Sequence, residues 1–283
     1  MPELPEVEVL ARRLRPLLRG QTIHGVNVRR VKVLAPTSLR QFRQALLGAT
    51  FTGLSRRGKY LLFQLAARTI GKSVTLLGHL GMTGRMFPAS KRERLPVHAA
   101  VVLDLGGENF VYEDTRYFGR LTLDVSAVEK LGPEPLGRDF QPAAFARALK
   151  RSRQAVKIKL LDQTVVAGVG NIYASEALFR ARLSPKRAAN RLTPEQVKRL
   201  WRAVREVLAG AIRGGSTVPL NFGGGKSDGL FYFGRAPGTP DFYGEQLRVY
   251  DREGRPCLKC RQPIKRITQA ARSTYYCPRC QGG

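Results

Sequence analysis

Four cysteines, Cys257, Cys260, Cys277 and Cys280, stand in the last 27 residues with the spacing C-x2-C-x16-C-x2-C. Each C-x-x-C turn points two thiolates at one spot, and a β-hairpin between the turns brings the second pair opposite, an arrangement that holds one tetrahedral zinc ion. With all four ligands sulfur, no coordination position stays open for water or substrate, so the metal is expected to hold a fold and perform no catalysis. Two disulfides are the other use of four thiols, but disulfide scaffolds are short and cysteine-dense. Four cysteines at one end of 283 residues do not fit that description. Lys259, Arg261, Lys265, Arg266, Arg272 and Arg279 ride on the knuckle and make it strongly cationic. A second candidate is Ala167-Gly168-Val169-Gly170-Asn171. Ahead of a helix, such a turn exposes backbone N–H groups that can hold a phosphate, although many glycines of this kind only make turns.

These groups need a partner and a scaffold. The chain carries 49 Lys plus Arg against 21 Asp plus Glu, a formal net charge of +28. Such an excess repels itself unless a polyanion is near. The sign of the charge alone admits RNA, DNA or an acidic membrane. With 43% hydrophobic residues in 283, two or three domains with real cores are expected. No apolar run is long enough to span a bilayer, and Met1-Pro2-Glu3-Leu4-Pro5-Glu6 has neither a cationic n-region nor an apolar h-region. Reduced thiols and no export signal point to the cytosol.

Residues 3–19 read as a helix, with Val7, Leu10, Ala11, Leu14, Leu17 and Leu18 on one face and Gly20 ending it. Short β-rich runs follow at 26–34, 59–65, 73–77, 99–105, 110–112 and 120–125, with a hairpin turn at Leu105-Gly106-Gly107-Glu108, a β-layer of sandwich or barrel type. Leu131-Gly132-Pro133-Glu134-Pro135-Leu136-Gly137 reads as a linker. Helices are expected at 172–182 and from Thr193, where Pro194 and Gln196 complete a capping box and Trp201 falls on the apolar stripe as a core residue.

Three separated segments, Pro2-Glu3-Leu4-Pro5-Glu6-Val7-Glu8, Gly168-Val169-Gly170-Asn171-Ile172-Tyr173-Ala174-Ser175-Glu176 and the four-cysteine finger, together resemble the bacterial formamidopyrimidine-DNA glycosylase family. Arg57-Gly58-Lys59-Tyr60-Leu61-Leu62, His79-Leu80-Gly81-Met82-Thr83-Gly84, Arg116-Tyr117-Phe118-Gly119 and Leu131-Gly132-Pro133-Glu134-Pro135-Leu136 extend the similarity over nearly the whole chain. The resemblance implies an α+β multidomain fold. Its parts are an N-terminal helix with a β-sandwich (1–131), a linker (132–140), a helix-two-turns-helix domain with a lesion-recognition loop (141–244) and a zinc finger (245–283). It also implies a monomeric bacterial base-excision-repair enzyme, a glycosylase and AP lyase acting on oxidised purines in duplex DNA, with one structural zinc.

By that resemblance, loss of Met1 exposes Pro2 as a secondary amine. An α-amino group titrates near pH ~8, about two units below a lysine side chain, so a useful fraction is nucleophilic at neutral pH. Glu3 becomes the acid for ring opening, Lys59 the proton donor in β-elimination and Arg272 the δ-elimination and phosphate residue. Met82, Arg116 and Phe118 match residues that fill the space left by an everted base. Asn171, His98, Arg153 and Lys157 match phosphate contacts. Taken one at a time these residues have plainer readings: core packing for Met82 and Phe118, a surface histidine for His98, a helix-start carboxylate for Glu3. Two departures stand out. The Gly- and aromatic-rich stretch 216–244 is longer than usual, and Tyr117 stands where many relatives carry a basic residue. The rivals are an endonuclease VIII-like glycosylase for oxidised pyrimidines, against which Leu4 counts, and a non-catalytic zinc-finger DNA-binding protein.

Overall fold

The computed structural model describes residues 2–66, 73–215 and 247–282. The predicted lesion-recognition loop, 216–244, lies outside them. The chain divides into two compact units. The first holds Pro2 and Glu6–Glu129, and the second holds Glu3–Pro5, Lys130–Gly214 and the described residues 247–282.

The first unit is the expected sandwich. Helix α1 (Leu4–Leu18) buries Val7, Leu10, Ala11, Leu14 and Leu18, the stripe that a 3.6-residue period places on one face. The strands are β1 (Gly25–Val28), β2 (Thr50–Arg57), β3 (Tyr60–Ala66), β4 (Ser73–His79), β5 (Gly84–Ser90), β6 (Ala99–Asp104), β7 (Glu108–Asp114) and β8 (Arg120–Thr122). They form two antiparallel sheets, ordered β1-β6-β7-β5 and β2-β3-β4-β8. Phe51 and Phe63 of one sheet meet Phe110 of the other edge-to-face at 6.4 and 5.7 Å, so one aromatic cluster joins both layers.

The expected strand over 26–34 stops at Val28 and gives way to a 3-10 turn at Val31–Leu34. Further elements escaped the pattern reading, among them β2, β5 and a second helix. Helix α2 (Leu39–Leu46) buries only Phe42, Ala45 and Leu46, and its start is fixed by a capping box between Ser38 and Gln41. Strand β5 contains Pro88, which a strand tolerates at a sheet edge, and β5 is an edge strand.

The second unit packs α4 (Pro142–Lys150), α5 (Val156–Leu161), α6 (Asn171–Arg180) and α7 (Pro194–Arg213) around one core; α3 (Ser126–Glu129) belongs to the first unit. The Thr193–Gln196 capping box forms as expected, and Trp201 packs against the core with its Nε1 donating to Phe140 O at 2.8 Å. Residues 132–140 are not a free tether. Gly132 N donates to Gln163 O (2.8 Å), Ala167 N to Pro133 O (3.0 Å), and Arg205 Nη1 to Pro135 O and Gly137 O (2.8 and 3.1 Å). The finger, a hairpin of β9 (Lys265–Gln269) and β10 (Arg272–Tyr276), packs into this unit: Gln281 Nε2 donates to Leu183 O and Gln269 Nε2 to Pro185 O. Buried Glu176 accepts the backbone N–H groups of Arg248, Val249 and Tyr250, each at 2.9 Å, and so fixes where the chain leads into the finger. Burial pushes its carboxyl up, against the pull of those three amides.

Candidate active site and nucleic-acid interface

Glu3 is 2% exposed, and its carboxylate is seated at the start of α6. Gly170 N donates to it at 2.7 Å, Ile172 N at 2.8 Å and Tyr173 N at 3.4 Å. These are first-turn amides with no partner inside the helix. The turn therefore needs glycine: a Cβ on Gly170 would lie 2.3 Å from Glu3 Cδ, and one on Gly168 (φ +83°) 2.6 Å from Leu4 Cβ. The expectation that this turn cradles a phosphate is corrected here, because a carboxylate of the same chain takes those donors. Leu4 N donates to Gly168 O at 3.0 Å, and Pro2 is the residue just before this locked pair.

Lys157 also departs from its expected role. It is 0% exposed, and its ammonium gives its three protons to Asn171 Oδ1 (2.6 Å), Ser273 O (3.0 Å) and Thr274 Oγ1 (2.6 Å). Burial, with Arg272 adding to it and Glu3 opposing, brings its pKa down to about 8. Its donors are consumed inside the unit, so Lys157 ties α5 to α6 and to β10 where a phosphate contact was expected. Asn171 Nδ2 adds a bond to Ser273 O at 2.9 Å, and Arg272, at the head of β10, is exposed. Arg153 is exposed on the loop before α5 and takes no part in this network.

In the first unit, Lys59 occupies the tight turn between β2 and β3. Burial, then the charges of Lys59 and Arg120, depress His79 to about 4, so its ring is neutral near pH 7 and Nδ1 accepts from Gly81 N at 3.2 Å. Gly81 (φ +59°) admits no side chain, since a Cβ there would meet Gly119 N at 2.6 Å. That contact presses the 80–83 turn onto the 115–119 loop. Asp114, wholly buried, is the hub of both: it accepts Thr83 Oγ1 (2.5 Å), Gly119 N (2.8 Å), Arg116 N (3.1 Å) and Tyr112 Oη (3.3 Å). The loops bring together the three predicted space-filling residues. Arg116 Nη1 lies 3.7 Å from Met82 Sδ, its guanidinium lies 5.6 Å from the Phe118 ring centre, and Met82 and Phe118 are 42% and 55% exposed. Large apolar side chains held at the surface are suited to insertion between bases. His98 lies beside Tyr117, its Nδ1 3.4 Å from the phenol oxygen. Asp114 and His79 were missed as positioning residues because nothing in their local spacing marks them.

In the finger, Cys257 Sγ and Cys280 Sγ are 3.9 Å apart, Cys260 Sγ and Cys277 Sγ 3.4 Å, and all four sulfurs lie within 4.8 Å of one another. All four cysteines are free. Tetrahedral Zn–S bonds of about 2.3 Å place sulfurs about 3.8 Å apart. The donor set fits one structural zinc ion. Among the described residues no helix is long and apolar enough to cross a membrane.

The Formamidopyrimidine-DNA glycosylase N-terminal domain family matches residues 1–121, the Formamidopyrimidine-DNA glycosylase H2TH domain family residues 131–221, and the zinc finger found in FPG and IleRS residues 254–282. Formamidopyrimidine-DNA glycosylase of Thermus thermophilus is 44% identical over 291 residues, covering 100% of this chain and 99% of the relative. Wild-type Lactococcus lactis Fpg bound to DNA containing N7-benzyl-Fapy-dG superposes with a TM-score of 0.86 at 32% identity, covering 100% of both chains. MutM in complex with DNA containing carbocyclic 8-oxo-G gives 0.87 at 31% identity, again over 100% of both. With the glycine turn, the buried glutamate and the four-thiolate finger in place, the chain belongs to the formamidopyrimidine-DNA glycosylase family.

Proposed function

We propose that this enzyme, a base-excision-repair glycosylase and AP lyase for oxidised purines in duplex DNA, works from Pro2 through residues whose placement is described above. The Pro2 nitrogen, free once Met1 is removed, adds to C1′ of the damaged nucleotide while the C1′–N bond breaks and the base leaves with that electron pair. Glu3 passes a proton to the ring oxygen as the sugar opens. The product is an iminium, and a secondary amine cannot lose a further proton to become a neutral imine, so the electron sink persists. Removal of a C2′ proton then expels the 3′ phosphate, and a second elimination expels the 5′ phosphate. Lys59 and Arg272 serve these two eliminations. Met82, Arg116 and Phe118 occupy the stack while the base is out, the guanidinium facing the orphaned cytosine.

The observation that carries this reading is the lock on Glu3. A carboxylate held by three helix-start amides, one peptide bond from a proline, makes the chain's first residues a fixed reactive unit. A non-catalytic DNA binder has no use for it. The four thiolates hold the zinc, which organises the finger. The setting consistent with this activity is the bacterial cytosol, with the protein acting as a monomer on damaged DNA. Borohydride trapping on a duplex with 8-oxoguanine opposite cytosine tests the assignment. Covalent capture that disappears in Pro2→Gly supports it, whereas binding without capture overturns it. Stronger capture on a thymine-glycol duplex would move the enzyme to the oxidised-pyrimidine branch.

A further inference from the structure

Three polar side chains from separate parts of the first unit meet beside the 115–119 loop. Tyr117 sits between Arg116 and Phe118 with φ +53°, a left-handed conformation that is strained for a non-glycine residue. It is half-buried and packs against the sandwich core. Arg30 Nε donates to Tyr117 Oη at 3.2 Å, with the guanidinium carbon 5.3 Å from the ring centre. The phenol oxygen, having accepted from Arg30, also lies 3.4 Å from His98 Nδ1. Arg30 is fixed at its backbone as well, since Arg29 N and Arg30 N both donate to Ala100 O.

No carboxylate pairs with Arg30 among the described residues, and four of the five guanidinium protons remain undirected. An exposed arginine ordinarily samples many rotamers and loses that freedom when it is fixed. Here stacking on a strained tyrosine and a hydrogen bond at Nε hold it still, leaving the planar Nη1/Nη2 fork with no carboxylate on it among the described residues. That is the geometry for a tetrahedral oxyanion.

We infer that Arg30, held in place by Tyr117, is a further contact to one backbone phosphodiester of the DNA. Arg30 supplies the charge and the donors, and Tyr117 positions it. The inference rests on the space-filling role given above to Arg116 and Phe118, which flank Tyr117 in the chain. It also explains how a tyrosine at that position is compatible with phosphate binding: the cation arrives from the end of β1.

The test is equilibrium binding to a duplex carrying a stable abasic analogue, measured across a salt series. Each phosphate contact contributes about 0.9 to the slope of log K against log[salt]. Arg30→Ala is expected to reduce that slope by about 0.9 and affinity by about fivefold, while Arg43→Ala, a cation on α2, changes neither. Tyr117→Phe removes the hydroxyl, keeps the ring, and should weaken binding by about threefold. The double variant should be no weaker than Arg30→Ala alone, because the hydroxyl acts through Arg30. Arg30→Lys keeps the charge and should retain most of the slope with reduced affinity. An unchanged slope in Arg30→Ala, a loss equal to that of Arg43→Ala, or additive losses in the double variant would each overturn the site. Borohydride capture by the wild-type enzyme runs alongside as the control for the reaction itself. Failure of wild-type capture would instead count against the reaction, leaving the slope comparison intact.

Discussion

Asp114→Asn changes one atom and tests whether the space-filling loops are preorganised. In the structure Oδ1 accepts from Thr83 Oγ1 and Arg116 N, while Oδ2 accepts from Gly119 N and Tyr112 Oη. Asparagine retains one oxygen and must place an NH2 group where the other stood. If the amide keeps its oxygen toward Thr83 and Arg116, the Gly119 N–H, which can only donate, faces another donor and the Tyr112 hydroxyl must turn round to accept; the flipped amide moves the same conflict to Arg116 N and Thr83. Leaving a buried donor unsatisfied costs about 1–3 kcal/mol, so a net loss of about 2 kcal/mol is expected after local relaxation. For a unit of this size that corresponds to a fall in Tm of about 4–8 °C. The loss concentrates in the two loops, since Gly81 packs on Gly119 and Asp114 is the bond between them. Excision of 8-oxoguanine from a duplex should therefore drop about tenfold or more, the equivalent of 1.4 kcal/mol in the eversion step. Strand cleavage at a preformed abasic site in single-stranded DNA, which needs no eversion, should hold within about twofold. Paired thermal melts and single-turnover assays on the two substrates give the comparison. Equal losses on both, or an unchanged duplex rate with the lowered Tm, would refute preorganisation by Asp114.

Two further outcomes follow from the buried polar groups. His79 has its folded pKa depressed from 6.5 to about 4, so the unfolded chain takes up the proton first as acid is added. The stability that depends on a neutral His79 is whole above pH 6.5, declines between 6.5 and about 4, and is fully lost below, by about 3 kcal/mol in all. His79→Asn keeps an acceptor near Gly81 N and does not titrate, so the wild-type minus variant difference in unfolding free energy should carry that slope; a flat difference from pH 7 to 4 counts against it. Cys277→Ser or zinc chelation should abolish DNA binding and lower helical-unit stability while the sandwich stays folded. The helical loss follows because Ser273 O and Thr274 Oγ1 are two of the three acceptors of a wholly buried Lys157. Metal analysis should return one zinc per chain, and normal affinity in the variant would contradict the finger's role.

What the chain discloses in one dimension depends on how far its partners lie along it. The thiolate quartet, the Thr193–Gln196 box and the Gly106-Gly107 turn are local patterns, and each folded as read. Helix α2 was hidden because three buried residues in eight leave little periodic signal, and β5 because Pro88 reads as a breaker until one knows the strand lies on an edge. The site fails differently. Residues 168–171 had the composition of a phosphate cradle, but which anion occupies such a turn is decided by a glutamate 167 residues away from Gly170. Lys157 looked like one more member of a large basic surplus, yet its partners lie 14, 116 and 117 positions along the chain and consume its charge internally. Arg30 is the converse. In sequence it is indistinguishable from the other 48 lysines and arginines, and only its pairing with a neutral tyrosine sets it apart from a solvated cation. In a chain of net charge +28, function is therefore marked less by where positive charge stands than by which uncharged group holds it still.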